Sequence, residues 1–353
     1  PPQKHRLPLH GLLLGAAAPA AAAQPAAGAG VATIAKAGTT VKRYKGLGTS
    51  TREEALQYAE DMDRHTLQLH YHPTESADAL VLAFGDKVDP RRAALEDSTF
   101  ASESLDYSKQ DMSIREYLEG EVWEYHRESV RRGILGEDGN KEVNRKILHV
   151  MMAGQKRGKP DKTPGKWVKG DTKVDALASA ISMHSHYKYG SKSIEDAVPK
   201  MAQDYIGTNN VSLLVPMGQF GSRVGTKDDH SSSRYILSRM NPVARFIYPE
   251  MDDPVLVKRM EDAGPAEPVC YSGIINMGMV NGTDLAIGTG YKYTYPMHNP
   301  SDVMNCTRAW IDCHDDVAIA DLDGVSCDVV ETDPSWRDLT MGMVPWYRWF
   351  KGT

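Results

Sequence analysis

Apolar residues recur every three or four positions between residues 174 and 205, and this spacing predicts two consecutive helices. Val174, Leu177, Ala178 and Ile181 share one face of the first, within residues 173–190. Ile194, Ala197, Val198, Met201 and Tyr205 repeat the pattern in the second, residues 191–205. A 3.6-residue repeat stacks such positions on one side, so both stripes are expected in a core. Further upstream, residues 43–51 (RYKGLGTST) read as a strand ending in a glycine turn. Thr51 and Glu54 then spell a capping box that opens a helix, with Ala55, Tyr58, Ala59 and Met62 on one face. Asp61 and Asp63 are expected inside that helix, where residues two apart point to different faces and do not converge on a metal. Residues 114–125 (IREYLEGEVWEY) read as another helix.

Composition narrows the picture. The 353 residues, 41% apolar and 25% charged, suffice for two or three modest domains with real cores, and they read as soluble and globular. A net charge of -6 excludes a wholly basic nucleic-acid protein, so any such contact must come from local clusters of Lys and Arg. Cys270, Cys306, Cys313 and Cys327 show no paired CxxC spacing, so neither a zinc site nor a disulfide scaffold is expected, and the thiols read as reduced and intracellular. Residues 1–40 are rich in alanine, glycine and proline. Lys4, His5 and Arg6 before an apolar run copy a targeting peptide, but Pro19 interrupts the run and a low-complexity segment is the preferred reading. No stretch is long and apolar enough to span a membrane.

The candidate chemistry lies in residues 217–236, MGQFGSRVGTKDDHSSSRYI, a glycine- and serine-rich stretch ending in an Arg-Tyr pair. A phenol titrates near ~10, so about one in a thousand is phenolate at neutral pH and it needs help to attack. Arg234, permanently cationic, can bind a phosphodiester with paired hydrogen bonds and stabilise both the phenolate and the charge developing on phosphorus. With 16 tyrosines in the chain, such a dipeptide is by itself more often a solvated turn.

GQFGSR at residues 218–223, followed twelve residues later by Tyr235 in SRYI, resembles the active-site loop of eukaryotic-type DNA topoisomerase II. Residues 43–65 are similar to the end of that family's Toprim domain. EDGNKEVNRKIL, residues 137–148, is similar to its DGxKPxQRK segment, with Glu142 and Asn144 as departures. Residues 173–190 resemble the second helix and turn of its winged helix, with Lys188, Tyr189 and Gly190 where the family has His-His-Gly; His184 or His186 could compensate. Residues 245–254, 275–290 and 342–353 echo later segments, with one residue inserted between Asn281 and Ile287.

The resemblance implies an α+β multidomain fold. Its parts would be a low-complexity segment at 1–40, a C-terminal remnant of a Toprim α/β domain at 41–75 and a connector at 76–117. A winged-helix (helix-turn-helix) domain carrying the catalytic tyrosine loop would follow at 118–273, and a partial α/β tower domain at 274–353. It makes Tyr235 the nucleophile, joined to the 5' end of cut DNA, and Arg234 its transition-state support. It places Lys45, Lys141, Arg145, Lys146, Lys188, Gln219 and Arg223 on DNA and makes Ile287 a wedge between base pairs. The basic run at 156–173, seven Lys or Arg against two Asp, is either a solvated loop or a phosphate contact, the second being favoured beside a DNA-binding helix pair.

The complete enzyme would be a homodimer passing one double-stranded DNA through another with Mg2+ and ATP, in the nucleus or alternatively a mitochondrion or plastid. No Asp or Glu precedes Glu53, so the upstream magnesium carboxylates and the ATP-hydrolysing module are absent from this sequence, and no metal ligand is assigned. Three expectations therefore stand: a breakage-reunion core fragment, a DNA-binding module without catalysis, and a degenerate gene product.

Overall fold

The computed structural model describes residues 50–96, 111–154, 166–168, 170–261, 264–313 and 343–351. Lys45, most of the strand and turn expected over 43–51, and residues 156–165 and 169 of the basic run at 156–173 lie outside the described residues. The described chain forms two compact units, residues 50–131 with 287–292, and residues 132–286 with 293–351.

The first unit opens with α1 (Arg52–Glu60), whose capping box is formed as expected: Thr51 N–H donates to Glu54 Oε2 at 2.7 Å and Glu54 N–H to Thr51 Oγ1 at 3.3 Å. Its apolar face, however, buries nothing, and Met62 is exposed. The helix stops at Glu60, so Asp61 is its C-terminal cap and Asp63 begins a separate 3-10 turn, which corrects the expectation that both are helical. Because α1 is exposed, its cap carries much of its local stability. Thr51→Ala is expected to cost about 1 kcal/mol, seen as faster hydrogen exchange of the Glu54 amide, with the core of the other unit untouched.

β1 (Gln68–His70), α2 (Glu75–Phe84) and α3 (Asp89–Glu96) follow, and β1 pairs in parallel with β2 (Asp111–Ser113). The helix expected at 114–125 exists but is not uniform. α4 (Ile114–Tyr117) passes through one π turn at Leu118–Val122 into α5 (Trp123–Gly133), which burial of Leu118 and Trp123 holds in place.

The second unit is built on three helices, α6 (Glu142–Met152), α7 (Val174–His184) and α8 (Ser191–Ala202). Val174, Leu177, Ala178 and Ile181 are fully enclosed, as are Ile194, Val198 and Ala202, so both apolar stripes face one core. α8 ends at Ala202 rather than at Tyr205, because its C-terminal cap Gln203 leaves the helical conformation at φ -55°, ψ 134°. Against these helices lies an antiparallel sheet, in the order β3 (Thr172–Lys173), β5 (Leu237–Met240), β4 (Leu214–Met217). Three helices and a small antiparallel sheet make the expected winged helix.

Beyond it come α9 (Ala244–Ile247), the hairpin of β6 (Lys258–Glu261) and β7 (Gly264–Pro268), α10 (Met277–Asn281), the pair β8 (Thr283–Gly288) and β9 (Tyr291–Tyr295), and α11 (Pro300–Cys313). Gly139, at φ +72°, packs on the backbone of Gly278, where a Cβ at position 139 would overlap that backbone. This glycine contact joins the loop before α6 to α10. Buried Asn210 donates through Nδ2 to the carbonyls of Val280, His298 and Trp346 at 2.9–3.1 Å, tying three later segments to the winged helix.

Candidate active site

The sheet sends the chain out through β4 and takes it back through β5, and the pairing of Met217 with Leu237 closes the base of the loop between them. Phe220 and Ile236 are buried at its two ends, and Gly218, at φ +113°, lets the backbone turn away over Ile236. The loop then folds on itself. Gln219 Nε2 donates to the Asp229 carbonyl at 2.9 Å, and Ser231 N–H donates back to the Gln219 carbonyl at 3.0 Å.

The last turn carries the Arg-Tyr pair. Tyr235 N–H donates to the Ser232 carbonyl at 2.9 Å, and the opening amides of α7 hold the same segment: Val174 N–H reaches Ile236 O at 3.1 Å and Asp175 N–H reaches Ser233 O at 3.3 Å. Amides that a helix start leaves without intrahelical partners thus find them in the loop. From α8, Glu195 Oε2 accepts a hydrogen bond from Ser233 Oγ at 2.8 Å. Both helices of the helix-turn-helix therefore grip the turn that presents Tyr235.

Tyr235 itself is 71% exposed, and the Arg234 guanidinium lies 5.8 Å from its ring centroid. That distance is within the range in which a cation is attracted to a ring face. A permanent positive charge beside an accessible phenol leaves guanidinium N–H groups free to bind an anion at the same place. Arg223 is also exposed, with its guanidinium 5.7 Å from the Phe350 ring. Lys188, on the turn between α7 and α8, is exposed, and its Nζ lies 5.6 Å from the ring of Tyr189, over which Arg132 stacks at 3.4 Å. The Tyr189 ring is thus flanked by two cations.

The remaining expected residues separate. Lys141 is half-buried and donates to the Leu285 carbonyl at 3.2 Å; burial, then repulsion from Lys200, lowers its pKa. Arg145 and Lys146 point inward, which corrects the expectation that they face DNA. Arg145 Nε is 3.0 Å from Asp138 Oδ2, and Lys146 Nζ is 2.6 Å from Glu267 Oε2, all four groups being buried. Ile287 is exposed on β8 and belongs to the first unit. Asp228 is a solvated loop carboxylate paired with Lys200 at 3.0 Å, which lowers its pKa.

His184 stacks on Trp167, 4.9 Å away and 9° from parallel, and His186 sits in the left-handed region at φ +53°. Among the described residues, no group of three or more His, Cys, Asp or Glu is placed to hold a metal ion, neither Cys270 nor Cys306 forms a disulfide, and no helix is long and apolar enough to cross a membrane. Sequence reasoning missed Glu195 and Gln203, which hold the loop from α8 and from its C-terminal cap. Neither falls in a motif or on an apolar stripe, so no signal marks them.

The profile of the DNA gyrase/topoisomerase IV family, in its A-type subunits, matches residues 136–353, and that of the C-terminal associated domain of Toprim matches residues 32–130. The chain is similar to the putative mitochondrial DNA topoisomerase 2 of Caenorhabditis elegans, 33% identical over 274 residues, covering 77% of this chain and 22% of that protein. It is also similar to DNA topoisomerase 2 of Arabidopsis thaliana, 32% identical over 317 residues, covering 90% and 19%. Among solved structures, the DNA-binding, cleavage and re-ligation domain of Plasmodium falciparum topoisomerase II superposes with a TM-score of 0.67 at 30% identity, covering 89% of this chain and 38% of that one. The chain spans about a fifth of the length of these curated relatives.

Proposed function

The chain belongs to the type II DNA topoisomerases, the family of DNA gyrase and topoisomerase IV, and from that premise we propose that Tyr235 is the nucleophile of a DNA breakage-reunion core. The observation that carries this reading is the exposed Tyr235 beside Arg234 on a turn gripped by both helices of the helix-turn-helix. The Tyr235 oxygen attacks a backbone phosphorus, the bond to the 3' oxygen breaks, and the 5' end remains on the protein as a phosphotyrosine. Attack by the 3' hydroxyl reverses the step, so the bond is stored rather than hydrolysed. Arg234 neutralises the extra charge on the phosphoryl oxygens. Arg223, Lys188, Lys141 and Gln219 face the backbone of double-stranded DNA, and Ile287 enters a base step as a bending wedge.

The full reading is double-strand passage by a homodimer with magnesium and ATP. The described residues do not themselves fit a magnesium site, since no cluster of suitable ligands forms among them. Magnesium would neutralise phosphate charge in the reaction; orienting Tyr235 and receiving the phosphate fall to this chain. The compartment of this reading is the nucleus, with the mitochondrion second because a relative carries that compartment in its name. Residues 118–273 would be the cleavage domain, flanked by the end of Toprim and the start of the tower. A second reading, a DNA-docking module without chemistry, is favoured by the missing ligand cluster alone.

One experiment separates them. The purified chain is mixed with labelled duplex DNA and magnesium, binding is followed against salt, and adducts are trapped with denaturant. A protease-sensitive adduct on 5' ends is the expected result. Salt-sensitive binding without an adduct leaves the docking module, and loss of both defeats the two readings together.

A further inference from the structure

Gln203 follows the last residue of α8 and is 1% exposed. Its Nε2 donates two hydrogen bonds, to the Phe220 carbonyl at 2.9 Å and to the Lys227 carbonyl at 2.7 Å. Both neighbours are carbonyls, so the amide nitrogen must be the atom facing them. Its own backbone is fixed as well: the carbonyl accepts from Asn209 Nδ2 at 2.8 Å and Ser212 Oγ at 3.0 Å, and the N–H donates to Pro199 O at 2.9 Å. A rigid, enclosed amide therefore joins the two ends of residues 221–226.

The segment it closes has an exposed tip. Arg223 and Val224 are exposed, while Phe220 is buried at the root. Gly221, at φ +87°, begins the excursion, and the root is tied further by ion pairs of Lys227 with Asp284 and of Lys200 with Asp228. These ion pairs hold only the far side of the loop. Among the described residues outside the loop, Gln203 is the one whose side chain bonds both sides at once.

We infer that Gln203 is a positioning residue that presents Arg223 to a DNA phosphate by closing the root of this loop. The inference rests on the proposed DNA-binding reading and adds a residue to it. No other neutral side chain of this length offers two donors from one nitrogen. Without them the buried Phe220 carbonyl and the half-buried Lys227 carbonyl lose their partners, the mouth of the loop opens, and Arg223 loses its fixed place.

The test is the salt dependence of binding to a labelled duplex, which needs no cleavage. Each phosphate contact contributes about one to the slope of log affinity against log salt. Arg223→Ala is expected to make the slope shallower by about one. Gln203→Met, which keeps the side chain's length, is expected to do the same with the fold intact by circular dichroism, and the double variant to do no more. A folded Gln203→Met with the wild-type slope would overturn the inference while leaving the DNA-binding reading in place.

Should Gln203→Met not fold, Gln203→Glu decides. Ionised, it faces two carbonyl oxygens and opens the root; protonated, it donates to one of them. Because enclosure raises a carboxyl's pKa, its slope is expected to be shallow near pH 9, where it is ionised, and to recover near pH 5, where it is protonated, while Arg223→Ala stays shallow at both. A slope of Gln203→Glu that ignores pH overturns the inference. Wild-type protein that binds no DNA overturns the inference and the reading beneath it.

Discussion

Tyr235→Phe is expected to abolish the trapped DNA adduct completely while leaving duplex binding and the melting temperature unchanged. The change removes one oxygen from a side chain that is 71% exposed, and such surface changes stay within about 0.5 kcal/mol. The turn is held by backbone bonds from α7 and by Ser233 on Glu195, none of which uses the phenol. Phenylalanine therefore keeps the geometry and the cation beside it but has no nucleophile. Arg234→Ala should instead lower the rate by about 10²–10³-fold, the usual cost of removing one transition-state donor. Arg234→Lys should not restore it, because a point charge cannot reproduce two parallel hydrogen bonds. An adduct that persists in Tyr235→Phe would place the nucleophile at another residue.

The difference between α1 and α7 shows what periodicity can and cannot say. Both carry an apolar stripe, but Val174, Leu177, Ala178 and Ile181 are sealed by α6, α8 and the sheet, whereas the stripe of α1 buries nothing among the described residues. A repeat of 3.6 identifies a face; it does not name what covers it. Local rules with a short reach were legible: the Thr51–Glu54 capping box spans three residues and is formed as read. The end of α8 was misjudged by three residues because the apolar spacing continued to Tyr205 after the hydrogen-bonding pattern had stopped.

The site was legible where its parts are adjacent in sequence. Arg234 and Tyr235 are neighbours, and the loop they end starts with Gly218 and Gly221, both at positive φ. What holds the loop came from elsewhere. Glu195 is 38 residues from its partner Ser233, and Gln203 is 17 and 24 residues from the carbonyls it bridges. The direction of a charge was illegible for the same reason. Arg145 and Lys146 stand together in a basic motif, yet the carboxylate that receives Lys146 lies 121 residues away on β7.

That burial sets the second large expectation: Lys146→Ala should cost about 3–5 kcal/mol of folding free energy without changing the salt slope of DNA binding. Lys146 Nζ is 2.6 Å from Glu267 Oε2, 2.9 Å from the Ser185 carbonyl and 3.5 Å from Glu261 Oε1, and its side chain is 1% exposed. Removing it leaves the Glu267 carboxylate enclosed, with Arg259 as its remaining cation at 3.7 Å. The penalty comes from that stranded charge rather than from the loss of an attraction, so deleting both charges should be milder than deleting one. Lys146→Met combined with Glu267→Met is therefore expected to recover most of the loss. Urea unfolding of the single and double variants measures the stability, and anisotropy against salt measures the contact. If Lys146→Ala unfolded like the wild type and its slope fell by about one, Lys146 would be reaching a phosphate and the inward pair would carry little weight.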